Sequence, residues 1–250
     1  MWCPAASALL ASLVTRRPLA AIGWRLDARW ILLGLALPIA YAAVAYGAVW
    51  ALGLGGVPNG EFLSRLAERF GGSPRDALGK YLGIQLTAGL LLSCLAGLGE
   101  EIGWRGFLVP ELSRRMSFVR TSLVSGVVWS LWHYPLLLFA DYNGGTSLAW
   151  SLACFTVMVL GISFLFAASR LASGSVWPAA VLHGSHNLFV QGIFDPLTAD
   201  TGRTRWWTGE FGAALPLVAI GVAALTLAWW RRAGMERPTS PSAGPGEVTA

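Results

Sequence analysis

"YLGIQLTAGLLLSCLAGLGEEIGWRGFL", residues 81–108, decides the fold. From 81 to 99 it holds no charged side chain, and about 20 such residues at about 1.5 Å rise each are what crosses about 30 Å of hydrocarbon. The stretch then places Glu100, Glu101 and Arg105 where lipid would surround them. An ionisable side chain near the bilayer centre costs at least about 2.5 kcal/mol on insertion scales, so such groups face a bundle interior and take a partner. The same residues therefore predict a membrane helix and a polar site inside the bundle.

The rest of the 250-residue chain agrees. It is 55% hydrophobic and 12% charged, about half the roughly 25% charge of a soluble domain, with mean hydropathy +0.57. Six segments read as spans: 30–54, 81–112, 118–140, 147–168, 175–194 and 211–230. The expected fold is all-α, a polytopic transmembrane helical bundle of about six spans, or seven to eight helices with interfacial pieces, holding a catalytic cavity within the membrane. Of the 18 Lys and Arg residues, 11 flank one side of six alternating spans and six flank the other, the last being Arg105. That excess predicts a multi-pass protein of the cell membrane with both termini cytoplasmic. Topology and anionic lipid account for a pI near 9.6. The basic residues lack aromatic interleaving, so no nucleic-acid partner is expected.

Outside the spans little is organised. Residues 1–29 read as an N-terminal cytoplasmic or interfacial segment whose "ASALLASLV", 6–14, is apolar but too short to span, with Arg16 and Arg17 after it rather than before it as a secretory signal requires. Three scattered cysteines, Cys3, Cys94 and Cys154, argue against disulfides and zinc-finger spacing. The 53–80 loop contains an amphipathic piece, 61–70, with Phe62, Leu66 and Phe70 at helical spacing, expected on the outer membrane surface. Asp141 and Asn143 read as an outer turn. A transmembrane domain of 30–232 with its motif core at 80–195 is followed by a Pro-, Ser- and Gly-rich tail, 233–250, expected to be disordered.

The polar residues inside the spans are few. The third span carries His133, and the fifth carries His183, His186 and Asn187; these are all the histidines of the chain. Helix rise puts Glu100, His133, His183 and Asn187 about 18, 22, 13 and 19 Å from their cytoplasmic ends, a similar level on three helices. Glu101 and Arg105 share a face and can pair, which leaves Glu100 as the unpaired acid, suited to general base work. His183 and Asn187 share a face too, with His186 close by, and could hold a developing oxyanion. The constellation supports hydrolysis in which Glu100 and His133 activate water.

In order, Glu100-Glu101-x-x-x-Arg105, Trp129-x-x-x-His133 and His183-x-x-x-Asn187 resemble the three motifs of the CPBP intramembrane proteases, the group of CAAX prenyl endopeptidases and bacteriocin-processing or immunity proteins. The resemblance covers roughly 80–195. It implies a cavity open toward the cytoplasm and metal-independent, glutamate-type peptide hydrolysis with no cofactor. The substrate would be a membrane-associated protein or peptide, with or without a lipid modification, cut near its C-terminus. By family role Glu100 and His133 activate water, Glu101 and Arg105 support them, and His183 with Asn187 forms the oxyanion site. Trp129 departs from the Phe of eukaryotic members, which bears on the substrate more than on the chemistry.

Other readings stay open from sequence alone. Glu101 and Arg105 can be only a helix-stabilising pair, His133 an aromatic-belt residue, and His186 a packing neighbour. Trp104 and Trp129 read as packing or cavity wall. Glutamate with two histidines could instead hold zinc with an open position for water, although no His-Glu-x-x-His is present. A proton-coupled transporter or membrane binding module with a buried Glu/His relay is a third class, without evident inverted repeats.

Overall fold

A computed structural model describes residues 1–140 and 143–236; Asp141 and the tail from 237 onward lie outside the described residues. Among the described residues the chain is helical throughout, with one isolated antiparallel bridge, Gly56 to Ala199, and no strand. Eight helices follow in order: α1 Cys3–Val14, α2 Ala28–Ala51, α3 Gly60–Phe70, α4 Pro74–Ser113, α5 Phe118–Phe139, α6 Leu148–Ser173, α7 beginning as Trp177–Asn187, and α8 Ala214–Arg232.

Local chemistry sets the helix ends. The Asp27 carboxylate accepts the N–H groups of Arg29 and Trp30 to start α2, and Asn59 does the same for Phe62 in α3. Ser73 and Asp76 form a reciprocal capping box, so α4 begins at Pro74, earlier than the apolar run. Gly174, at φ +69°, ends α6 in the left-handed region.

Five helices, α2, α4, α5, α6 and α8, are long and apolar enough to cross a membrane. The other expected span, 175–194, is also helical: α7 runs on through a π-turn, Leu188–Phe194, into Asp195–Leu197. His183, His186, Asn187 and Gln191 interrupt its apolar character. Polarity is tolerable there because α7 is central, packed between α2 and α4 and touching α6. Helix packing in lipid favours small residues that admit close backbones, and α7 meets α4 through one. A Cβ on Gly184 would lie 2.5 Å from the Cys94 backbone nitrogen.

The two ends of the bundle differ. At one, Arg17 pairs with Glu111, Trp30 packs edge-on against Trp229, and Phe118 stacks on Trp230 at 4.2 Å. At the other, Asn59 Nδ2 donates to the Pro196 carbonyl and Trp50 Nε1 to Thr198 Oγ1. The helices thus alternate in direction, and the arginines preceding α2 and following α8 share one end.

α1 is part of this bundle. Ala5 and Ala8 are buried against Leu98 and Ile102 of α4, and Gly103 admits Pro4, whose Cβ would stand 2.6 Å from any Cβ at 103. The opposite side of α1, with Leu10, Leu13 and Val14, is exposed. The 61–70 piece is α3, whose Phe62 meets Tyr81 of α4 edge-on at 5.4 Å.

Candidate active site

Helix α4 changes pitch at its charged residues. Immediately after Glu101 it widens into a π-turn, Ile102–Leu108, a distortion frequent at functional sites. Pro110, five residues beyond Arg105, has no N–H to return to the Arg105 carbonyl. Arg170 of α6 donates its Nε to that oxygen at 2.7 Å instead. The turn holds Glu101 and Arg105 in a dry ion pair at 3.0 Å, both side chains fully buried. The guanidinium lies between two aromatic faces, 4.3 Å from the centroids of both Trp129 and Phe166. Glu101 also holds His183, whose Nδ1 is 2.9 Å from the same carboxylate oxygen that Arg105 binds.

Glu100, one residue earlier, faces elsewhere. Trp129 Nε1 donates to its Oε2 at 3.0 Å and Trp104 Nε1 to the same oxygen at 3.3 Å. Both tryptophans thus hold Glu100 through their indole N–H groups. Glu100 Oε1 is turned to His133 Nε2 across 3.9 Å. His133 Nδ1 lies 3.1 Å from the Trp129 carbonyl. A carbonyl only accepts, so Nδ1 carries a hydrogen, and Nε2 is the ring nitrogen turned toward Glu100.

α7 supplies the facing wall. Gly97 of α4 sits under His183, whose Cβ and Cγ are 3.0 Å from where a Cβ at 97 would be. Four residues on from His183, Asn187 lines the same space. The cavity measures about 550 Å³ and brings together Glu100, His133, His183 and Asn187, with Trp129, His186 and Met1 also on its wall. Glu101, Arg105 and Trp104 are not lining residues; they brace those that are. Among the described residues no three His, Cys, Asp or Glu side chains are grouped to hold a metal ion.

Sequence reasoning missed two groups here. Glu210, on the loop before α8, reaches into the cavity and receives His186 Nε2 at 3.2 Å, while His186 Nδ1 is 2.5 Å from the Tyr41 hydroxyl. Burial alone would push the Glu210 carboxyl up; the His186 hydrogen bond and charge, the His133 charge and a Gln191 hydrogen bond hold it below its ordinary value. Periodicity could not find it, since it lies in irregular chain. The only signal was an acid set between Trp206, Trp207 and Phe211 in "WWTGEF".

Fold and site define a class: a multi-pass helical membrane protein whose buried carboxylates and imidazoles converge on one internal cavity. Residues 83–189 match the model of the family described as type II CAAX prenyl endopeptidase Rce1-like. CAAX prenyl protease 2 of Methanococcus maripaludis is 46% identical over 48 residues, a stretch that is 19% of this chain and covers 18% of that protein. All three motifs fall within the matched family segment, and the CPBP resemblance read from them is borne out.

Proposed function

We propose that the protein is an intramembrane endopeptidase that hydrolyses a peptide bond near the C-terminus of a membrane-associated protein or peptide, with or without a lipid modification. The observation that carries this reading is the 3.9 Å approach of Glu100 Oε1 to His133 Nε2 on the wall that His183 and Asn187 face. Both atoms are acceptors when His133 is neutral, so a water bound between them gives one hydrogen to each, and its lone pair is aimed away from both. Glu100 takes the proton as the water oxygen bonds to the carbonyl carbon, and returns it to the amine as the C–N bond breaks.

The negative oxygen of the tetrahedral intermediate needs donors. Asn187 offers its amide N–H. With its Nδ1–H given to Glu101, His183 carries a second hydrogen at Nε2 only as imidazolium, and the Glu101 carboxylate is the counter-charge that supports that form. Glu101 and Arg105 thus act as positioning residues for His183. The reaction needs no metal or other cofactor. The similarity of residues 83–189 to CAAX prenyl endopeptidases supports peptide hydrolysis. We place the protein in the cell membrane with the arginine-rich end and both termini on the cytoplasmic side, a reading supported by that bias.

The test is hydrolysis of quenched fluorescent peptides, prenylated CAAX-type sequences among them, by purified protein in liposomes. Cleavage abolished by Glu100→Gln and unchanged by a strong chelator is the expected result. Chelator-sensitive cleavage restored by zinc overturns the mechanism, and a cellular phenotype indifferent to Glu100→Gln favours a transporter or binding module.

A further inference from the structure

Between α2 and α8 lies a second groove, of about 270 Å³, that shares no lining residue with the cavity of the three motifs. Helical spacing makes it a slot. Arg29, Leu33 and Leu37 stand four apart on α2 and form one stripe, and Leu225 and Trp229 form another on α8. Eight residues separate Arg29 from Leu37, so the slot runs about 12 Å inward from the arginine-rich end. Its floor is Ala168 of α6 and Leu182 of α7, both buried, while Leu33, Leu37 and Leu225 on its rim are exposed. The two hydroxyls in its wall, Ser169 and Thr226, donate to the Phe166 and Val222 carbonyls of their own helices. The helices that form it are long and apolar enough to cross a membrane, and the bilayer core holds no water to fill such a slot.

The mouth is cationic. Arg29 is the charged residue of the lining, it is exposed, and among the described residues it has no ion pair. The acids near it are spent: Asp27 accepts two N–H groups of α2 and pairs with Arg25 at 3.4 Å, and Glu236 pairs with Arg231 at 3.4 Å. Trp30 and Trp229 meet edge-on at 6.2 Å beside Arg29, and indoles favour the depth of lipid headgroups. A cation and two indoles above an apolar slot match the order of parts in a phospholipid: anionic phosphate, glycerol backbone, acyl chain. Basic pockets between helices on the positive side of a membrane protein are recognised sites for anionic headgroups.

We propose that this groove binds an anionic phospholipid of the surrounding leaflet, with its phosphate on the Arg29 guanidinium and one acyl chain along Leu33, Leu37 and Leu225. A second protein chain would have to bring an acid to Arg29 and displace lipid, whereas one lipid molecule supplies both the charge and the chain. The site does not depend on peptide hydrolysis, although Leu182 on its floor immediately precedes His183. In phosphatidylcholine vesicles holding the 250-residue protein, trace phosphatidylglycerol and phosphatidylcholine analogues with the same diazirine acyl chain are photolysed, and labelled peptides are located by mass spectrometry. Residues 29–37 and 225–229 are expected to take up the phosphatidylglycerol analogue about fivefold more than the phosphatidylcholine one, the scale of one arginine at an anionic surface. Residues 120–127, with Arg120, Leu123, Val124 and Val127 exposed at the same end, report ordinary lipid contact and a smaller ratio. Arg29→Gln is expected to bring the groove ratio down to theirs, and Leu33→Trp, which fills the slot, to lower labelling there by both lipids. A groove ratio no higher than at 120–127, a ratio that survives Arg29→Gln, displacement by excess inorganic phosphate, or a dimer that shuts both lipids out of the groove overturns the proposal.

Discussion

Trp129 Nε1 donates to Glu100 Oε2 at 3.0 Å, and this bond leaves the other oxygen, Oε1, as the one turned to His133. Trp129 also covers the Arg105 guanidinium, so one side chain aims the base and seals the ion pair behind it. Trp129→Phe keeps an aromatic face over Arg105 and removes the N–H. Hydrogen bonds to charged groups contribute about 1.5–3 kcal/mol, so kcat is expected to fall at least about tenfold with little change in KM. Steady-state hydrolysis of one peptide by both proteins checks this. An unchanged kcat would assign the orientation of Glu100 to Trp104 alone.

Arg105 and Glu101 form an ion pair from which water is excluded. Removing one partner of such a pair strands the other charge and costs about 3–5 kcal/mol. Arg105→Leu and Glu101→Gln are each expected to lower the unfolding temperature in detergent on the order of 10 °C, and the double variant by less than the sum of the two. Additive losses in that cycle would show that the pair is not coupled.

How much of this was legible follows from what sequence periodicity records. Glu101 with Arg105, and His183 with Asn187, are four apart, and a helix alone puts each pair on one face; both meet the cavity or its bracing as expected. The joining of the two pairs through Glu101 and His183 depends on how closely α4 and α7 approach, which Gly97 and Gly184 allow and no spacing reports. The π-turn at Ile102–Leu108 was equally hidden, because the Arg105 carbonyl it frees is taken up by a distant arginine, Arg170. Tryptophans 104 and 129 read as apolar mass, and their indole N–H groups acquire a role only once Glu100 is beside them. Glu210 belongs to a loop, where no period exists to detect. α1 shows the same limit: its length forbids a span, and only Gly99 and Gly103 on α4 explain why it nests in the bundle, with Met1 and Trp2 against Gly99.

Gly184→Ala tests the helix contact that brings His183 to Glu101. The new Cβ would sit 2.5 Å from the Cys94 nitrogen and 2.6 Å from its Cα, backbone atoms that cannot swing aside. Overpacking of this kind costs about 1–3 kcal/mol. The unfolding temperature should fall by several degrees on the order set by that cost, and hydrolysis should fall further than stability, because α7 moves away from α4 at the residue next to His183. Protein assayed well below its unfolding midpoint separates the two effects. Activity retained in a fully folded Gly184→Ala protein would mean that the His183–Glu101 bond is dispensable.

Asp195 supplies a pH signature at the far end of the bundle, beyond the spans. Burial raises its carboxyl to about 6 from 3.8, against the Tyr46 hydrogen bond and with the Glu210 charge adding to the rise. The folded protein therefore binds a proton at Asp195 that the unfolded chain has already released. A raised acid contributes stability that is complete below the unfolded value of 3.8 and lost as pH climbs through about 6. Asp195→Asn keeps an acceptor for Tyr46 and cannot titrate. The unfolding temperature of the native protein minus that of the variant is expected to decrease between pH 4 and pH 6.5 or so and to level off above it. A difference that stays flat over that window, or grows with pH, would place the Asp195 carboxylate in a wetter site than the Tyr46–Asp195–Gly209 anchor provides. The loop carrying Glu210 should then also loosen its hold on His186.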